Sequence, residues 1–238
     1  MTKDQALAAL RKAGTAQNVK VYGRHGVKGD AFGVSYAELG RLHKTIGTDH
    51  GLARALWATG NHDARVLATM IADPGALTAR ELDAWVRELD NYVLCDAFSA
   101  LVARTGKGLA RYGAWKKRKG EFVAAAAYNV LAAVACYRDG AEIDPGFARA
   151  EIDEIAATIH DRPNRTRHSM NQALIALGAV DDALAQHAKA AAKRMGKVEV
   201  DHGQTSCKTP DAATYIDQTR AHREKKAAKA AAKKKARG

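Results

Sequence analysis

Proline, cysteine and aromatic residues are all scarce in this 238-residue chain. Four prolines, 6% aromatics and few β-branched runs argue against a strand-rich fold and for a mostly helical one. The three cysteines, Cys95, Cys136 and Cys207, are too few and too scattered for a disulfide framework. No apolar stretch approaches the roughly 20 residues that span a bilayer, so no membrane partner is expected. The first residues, MTKDQALAALRKAG, lack the apolar core of a signal peptide, and Thr2 to Gln5 has the form of a helix start. A cytoplasmic location is the expectation.

Acidic residues are also in deficit. Thirty-eight Lys and Arg against 26 Asp and Glu give a net charge of +12, which favours a polyanionic partner. The surplus is unevenly placed. Arg220 to Gly238 holds nine Lys or Arg against Glu224 alone, so the tail carries +8 and the body only +4. Such a tail either holds nucleic acid through counterion release or is a solvated, disordered end.

What remains is helical punctuation. Ser35 to Glu38 and Thr78 to Glu81 fit the capping box, and Asp144-Pro145 and Thr209-Pro210 place a cap before a proline at the first helical position. Helices are predicted at 3–13, 36–46, 51–58, 62–73, 79–89, 92–105, 107–118, 120–138, 146–159, 165–177, 180–195 and 211–232. Residues 18–22 are the only short candidate strand. The 120–138 segment is apolar nearly all round (FVAAAAYNVLAAVACY), which suits a helix covered on both sides. Short turns between such helices fit either a bundle or a stack of helical pairs. Three units follow: an all-α body at 1–196, an extension at 197–218 and a basic tail at 219–238.

The segment ELDAWVRELDNYVLCDAFSALVAR places Asp96 one helical turn beyond Tyr92, over the small residues Ser99, Ala100 and Ala103. A carboxylate beside an aromatic ring is suited to a cationic ligand or a developing positive charge. The alternative is an acid in the early turns of a helix, favoured by the macrodipole. Tyr92 by itself is equally a packing residue. Trp57, Trp85 and Trp115 fall on predicted helices as core or interface residues, and Cys95 as a small core residue. Arg65 either pairs within its own helix or lines a cleft. Asp201, His202, Cys207 and His187 match no standard zinc spacing, and no metal or cofactor is expected.

Basic residues cluster at Lys116, Lys117, Arg118 and Lys119 and again at Arg162, Arg165 and Arg167, with Lys208 in the extension. Each cluster is either a solvated helix end or a set of phosphate contacts.

Several segments in order carry a family resemblance: Phe32-Gly33-Val34, then ALWATGNHDARVLATMIADP, WVRELDNYVLCD and RHSMNQALIALG. Together they resemble the AlkD-like DNA alkylation repair proteins, which are HEAT-repeat glycosylases of alkylated purines. KVEVDHGQTSCKTPDAATYI resembles an extension found in part of that family. The resemblance implies an all-α, HEAT-like solenoid, a curved stack of helix pairs with duplex DNA on its concave face. It implies hydrolysis of the N-glycosidic bond by a monomer, with Asp96 catalytic and Tyr92 where the family has Trp. The family arginine falls near Ala124 or Ala125 and a further tryptophan near Gln172, so both are replaced here. Those departures keep two alternatives open: a non-catalytic nucleic-acid-binding protein that recognises DNA structure, or a protein-binding scaffold.

Overall fold

The computed structural model describes residues 1–137 and 143–235. The predicted end of the 120–138 helix at Arg138, and Arg237 of the tail, lie outside them. Among the described residues there are thirteen α-helices and no strand. They are α1 (Lys3–Ala13), α2 (Ala16–Arg24), α3 (Tyr36–Ile46), α4 (His50–Trp57), α5 (His62–Ile71), α6 (Ala79–Trp85), α7 (Tyr92–Val102), α8 (Gly108–Trp115), α9 (Glu121–Cys136), α10 (Pro145–Thr158), α11 (Asn164–Gly178), α12 (Asp182–Met195) and α13 (Ala212–Lys235). No helix is long and apolar enough to cross a membrane, among the described residues.

Side-chain caps set most of the starts. Thr2 with Gln5 and Thr78 with Glu81 form full capping boxes, and Ser35, Asp49, Asn61, Asn91, Asp144 and Asp181 each accept a backbone N–H of the first turn. One expected element is corrected. Residues 18–22 form no strand but the middle of α2, which starts where the Thr15 hydroxyl accepts from Asn18 N. Alternation over five residues is too short to override a cap when no partner strand exists.

The helices pack in two layers. The odd-numbered helices α3, α5, α7, α9, α11 and α13 contact one another in sequence, and α4, α8, α10 and α12 back them. Between α7, α8 and α11 lies α9, where Ala124 to Ala127, Tyr128, Val130 and Leu131 are all buried. Its alanines let three neighbours approach at once. Trp57 and Trp85 stack with ring centroids 4.2 Å apart, and Phe98 joins Trp57 to Trp115 at 5.9 Å from each. All four rings are buried, and each contributes on the order of 2–3 kcal/mol by leaving water.

The loop before α3 is held from below. Asp63 on α5 is wholly buried and accepts from the backbone N–H groups of Phe32 (2.6 Å), Gly33 (3.1 Å) and Val34 (2.9 Å). Gly33 has φ +77, and a Cβ there would collide with the Thr15 carbonyl oxygen. These contacts fix where α3 begins, and so where Tyr36 points.

The unit boundary expected at 218–219 falls inside α13, which runs unbroken. Ala212 and Ile216 are buried against α11 and α12. Arg223 donates to the carbonyls of Ala179 (2.7 Å) and Ala135 (3.2 Å), where α11 and α9 end. A cation is favoured at both of those termini. Arg220 pairs with Asp182. Two of the tail's nine cations therefore hold the fold, and the exposed run starts at Lys225.

Candidate functional site

Asn91 caps α7 by accepting from Leu94 N at 3.0 Å, which makes Tyr92 the first helical residue and sets Asp96 one turn on. The neighbouring Cys95 points inward and is buried. Asp96 is exposed, and its Oδ1 accepts from Asn129 Nδ2 of α9 at 2.7 Å. Burial nevertheless pushes its carboxyl up to about 6, against the opposing pull of Arg165 and the Asn129 hydrogen bond. Exposure and a burial-driven shift are compatible where solvent reaches a group that protein largely surrounds. Exposure decides access, while surrounding protein decides the direction of the shift.

Three elements meet over Tyr92. The Arg165 guanidinium, from the first turn of α11, lies 3.7 Å from the centre of its ring. Its hydroxyl pairs with His25 Nδ1 at the end of α2. Burial first, then Cys207 of the extension and Asp96, push that hydroxyl's pKa up, against Arg165. Tyr36, the first residue of α3, is 54% exposed. Burial and then Asp96 raise its hydroxyl as well, which puts its ring within electrostatic reach of the carboxylate. One layer of helices thus presents a solvent-reachable acid, two tyrosines, an amide and a guanidinium together.

Comparison with known proteins bears on the family and the fold. A family model described as DNA alkylation repair enzyme matches residues 4–216. The chain belongs to that family. It is 27% identical over 227 residues to the uncharacterized protein Lin0241 of Listeria innocua, covering 92% of this chain and 98% of the relative. The uncharacterized protein Lmo0209 of Listeria monocytogenes is 26% identical over the same length and shares. A solved structure from "a new family of proteins related to the HEAT-like repeat DNA glycosylases with affinity for branched DNA structures" superposes with a TM-score of 0.83 at 24% identity, covering 92% of this chain and 93% of that one. The fold is therefore an all-α, HEAT-like stack of helix pairs.

Within the family frame, α9 carries no arginine: Ala124 and Ala125 are both buried. The same helix offers Asn129 to Asp96 one turn later, and α11 brings Arg165 to the site from the other side. A guanidinium therefore reaches this site from α11 and not from α9. Gln172 is half-buried on α11.

The basic residues divide sharply. Lys116 is not available for phosphate: its Nζ donates to Glu151 at 2.7 Å and Glu154 at 2.8 Å, with the Tyr112 ring beneath it. Burial would lower its pKa, but the bonds to the two glutamates prevail and raise it. Arg162 is committed likewise, donating to the Lys116 carbonyl at 2.7 Å at the end of α8. Lys117, Arg118 and Lys119 are exposed beyond that end. Arg167 and Lys208 lie apart from Asp96, on a cavity beside the extension. Arg65 does not pair within its helix; it donates to the Trp57 carbonyl, pairs with Glu88 and borders a small pocket with His62 and Asn91. His187 pairs with Asp153, and His202 contacts Thr209.

Replacing Lys116 with Ala is expected to cost about 2–3 kcal/mol, because it leaves the buried Glu151 charge without its main partner. The salt dependence of DNA binding should not change. A denaturant titration and a salt titration of the same variant check both, and a flattened salt dependence would return Lys116 to the interface.

Sequence reasoning missed Asn129, Tyr36, His25 and Asp63. Only Tyr36 left a signal, as an aromatic directly after the Ser35 cap.

Proposed function

We propose that this chain binds duplex DNA across the face carrying Tyr36, Tyr92, Asp96 and Arg165, and hydrolyses the N-glycosidic bond of purines alkylated at N3 or N7. The observation that carries this reading is the solvent-reachable Asp96 carboxyl, held by Asn129 and within electrostatic reach of Tyr36 and Tyr92. Alkylation leaves the purine positively charged. As the bond from C1′ to the base nitrogen breaks, its electron pair stays with the base, which departs neutral, and positive charge develops on the sugar. Asp96 stabilises that charge and orients the water whose oxygen bonds to C1′. The water's proton passes to the carboxylate or to solvent. Tyr92 and Tyr36 supply electron-rich faces to the cationic base and the sugar. No metal takes part in this scheme. Lys117, Arg118 and Lys119 hold phosphates, which positions the duplex without reading its sequence. The protein acts as a monomer on intracellular DNA.

Release of 7-methylguanine and 3-methyladenine from methylated duplex DNA tests the reading. Free base in the supernatant supports it. No release at protein concentrations that saturate the duplex overturns it.

A second reading is binding to branched DNA without excision. Arg165 favours it, because its guanidinium already covers the Tyr92 face that a base would need. The solved relative's stated affinity for branched structures is consistent with it. Preference for a four-way junction over a linear duplex, with no base release, would install it instead.

Truncation after Arg223 keeps both helix-end contacts but removes the cations from Lys225 onward. Duplex affinity should fall, and the slope of log affinity against log salt should shrink by about 0.9 for each phosphate that the tail no longer neutralises. Base release at saturating protein should be unchanged. An unaltered slope would show that the tail does not touch DNA.

A further inference from the structure

After α12 the chain does not pack flat on the helices. Residues 197–211 arch over α11 and the end of α12 and leave an open-sided cavity of about 950 Å³. That volume suits a small-molecule ligand and far exceeds a single ion. The arch is pinned at both ends. Asn164 Nδ2 donates to the Asp201 carbonyl at 2.8 Å, and Asp201 N returns a bond to Asn164 Oδ1 at 2.7 Å. At the far end Asn171 Nδ2 donates to the Pro210 carbonyl at 3.0 Å. Between them the His202 ring meets His168 edge to face at 5.5 Å.

Four cations and three acids line this space. Asn171 is wholly buried, and its Oδ1 has no hydrogen-bond partner. Arg167 Nε is buried and unpartnered too. Among the described residues, Arg167, Lys193 and Lys208 have no ion pair, although all three line the cavity. Three acids line the same cavity and each has a partner: Glu199 pairs with Lys197 at 2.9 Å and lies within electrostatic reach of Arg167, Asp201 accepts from Gly203 N at 2.8 Å, and Asp211 accepts from Thr214 N at 2.9 Å. Lys193 and Lys208, which have no ion pair among the described residues, and Arg167 on the same cavity favour an anion in the ligand.

We propose that this cavity binds one nucleotide, its phosphate held by Arg167, Lys193 and Lys208 and its base and sugar within the remaining volume. Position supports this. On α11, Arg165 faces Tyr92 and Asp96 while Arg167, two residues on, faces the cavity. Cys207, beside Lys208 in the arch, lies within electrostatic reach of Tyr92. A strand crossing the Asp96 face can therefore place an unpaired nucleotide in the cavity. A free mononucleotide has the same chemistry. The inference does not require catalysis at Asp96.

Calorimetric titration of the full chain with dAMP, deoxyadenosine and inorganic phosphate is the test, repeated with a Lys193→Ala, Lys208→Ala double variant. Both lysines are exposed, so the fold should survive. The nucleotide should bind at least about tenfold more tightly than either fragment, and the double variant should weaken it by about tenfold. No dAMP binding, or binding the double variant leaves unchanged, overturns the proposal. Inorganic phosphate binding as tightly as dAMP would make this a site for an adventitious ion only, which also overturns it. Two supporting outcomes identify the source. A flapped duplex that outcompetes a blunt one, with the advantage abolished in the double variant, assigns the nucleotide to a DNA strand. Tight dAMP binding without that advantage assigns it to the free pool. A protein that prefers flapped DNA but releases no base would lose the glycosylase reading and keep this one.

Discussion

Asp96→Asn is expected to lower the release of alkylated purines by about 10²–10³-fold, with duplex affinity nearly unchanged. The substitution keeps the shape of the side chain, and its remaining oxygen still accepts from Asn129. What it removes is the negative charge that opposes the developing sugar cation. Because burial raises the carboxyl of the free protein to about 6, kcat/KM for release should rise through pH 6 and level off above it. The residual activity of the variant should show no such inflection. Equal rates for the two proteins would end the assignment of Asp96.

The same substitution carries a stability signature of opposite sign. Burial raises this carboxyl from its ordinary 3.8 to about 6 in the folded chain, so the fold prefers its protonated form. The stability it contributes is complete below about pH 4 and is lost as pH rises through 6. At pH 7 the ionised Asp96 is a net cost. Asp96→Asn should therefore stabilise the protein there, by about 1 kcal/mol once solvent screening of an exposed group is allowed for. That gain should vanish in acid. A variant that loses both activity and stability would mean that Asp96 holds the structure and that its chemistry is incidental.

Asp63→Ala should be the most disruptive single change for folding. Three backbone N–H groups, of Phe32, Gly33 and Val34, depend on this one carboxyl below the surface. Each orphaned donor costs about 1–3 kcal/mol, and with some relaxation a total near 4 kcal/mol is expected. In a chain of this size that lowers Tm by about 10 °C. Asp63→Asn should recover little, because its Nδ2 would face a backbone donor. DNA affinity should also fall well below the melting temperature, since the released loop sets the position of Tyr36. A variant with wild-type Tm would show that water or another side chain replaces the carboxyl at no cost.

The helix limits were legible because they are local. A Thr, Ser, Asn or Asp cap followed by apolar spacing determines a start from within a few residues, and nearly every predicted helix lies within a few residues of the observed one. The apolar wrapping of α9 announced a helix covered on both sides for a similarly local reason. The segment at 18–22 shows the limit of this. Its alternation is real, but a strand needs a partner, and only the fold decides whether one exists.

The site was half legible. Tyr92 and Asp96 share one helix, so their juxtaposition follows from spacing alone. The use of the cations does not. Lys116 and Lys117 are adjacent in the chain, yet one is locked to Glu151 and Glu154, some thirty-five residues away, and the other faces solvent. Arg165 and Arg167 look interchangeable in the sequence, yet helical geometry sends one to Asp96 and the other to a separate cavity.

By itself the sequence determined where the helices begin, that they bury an aromatic core, and that Tyr92 and Asp96 lie one turn apart, because capping and helical periodicity act over a few residues. The tertiary structure alone decided that Asn129, Tyr36 and Arg165 complete the site and that two cations of the tail hold helix ends, because those partners are brought together by packing of helices distant in the chain.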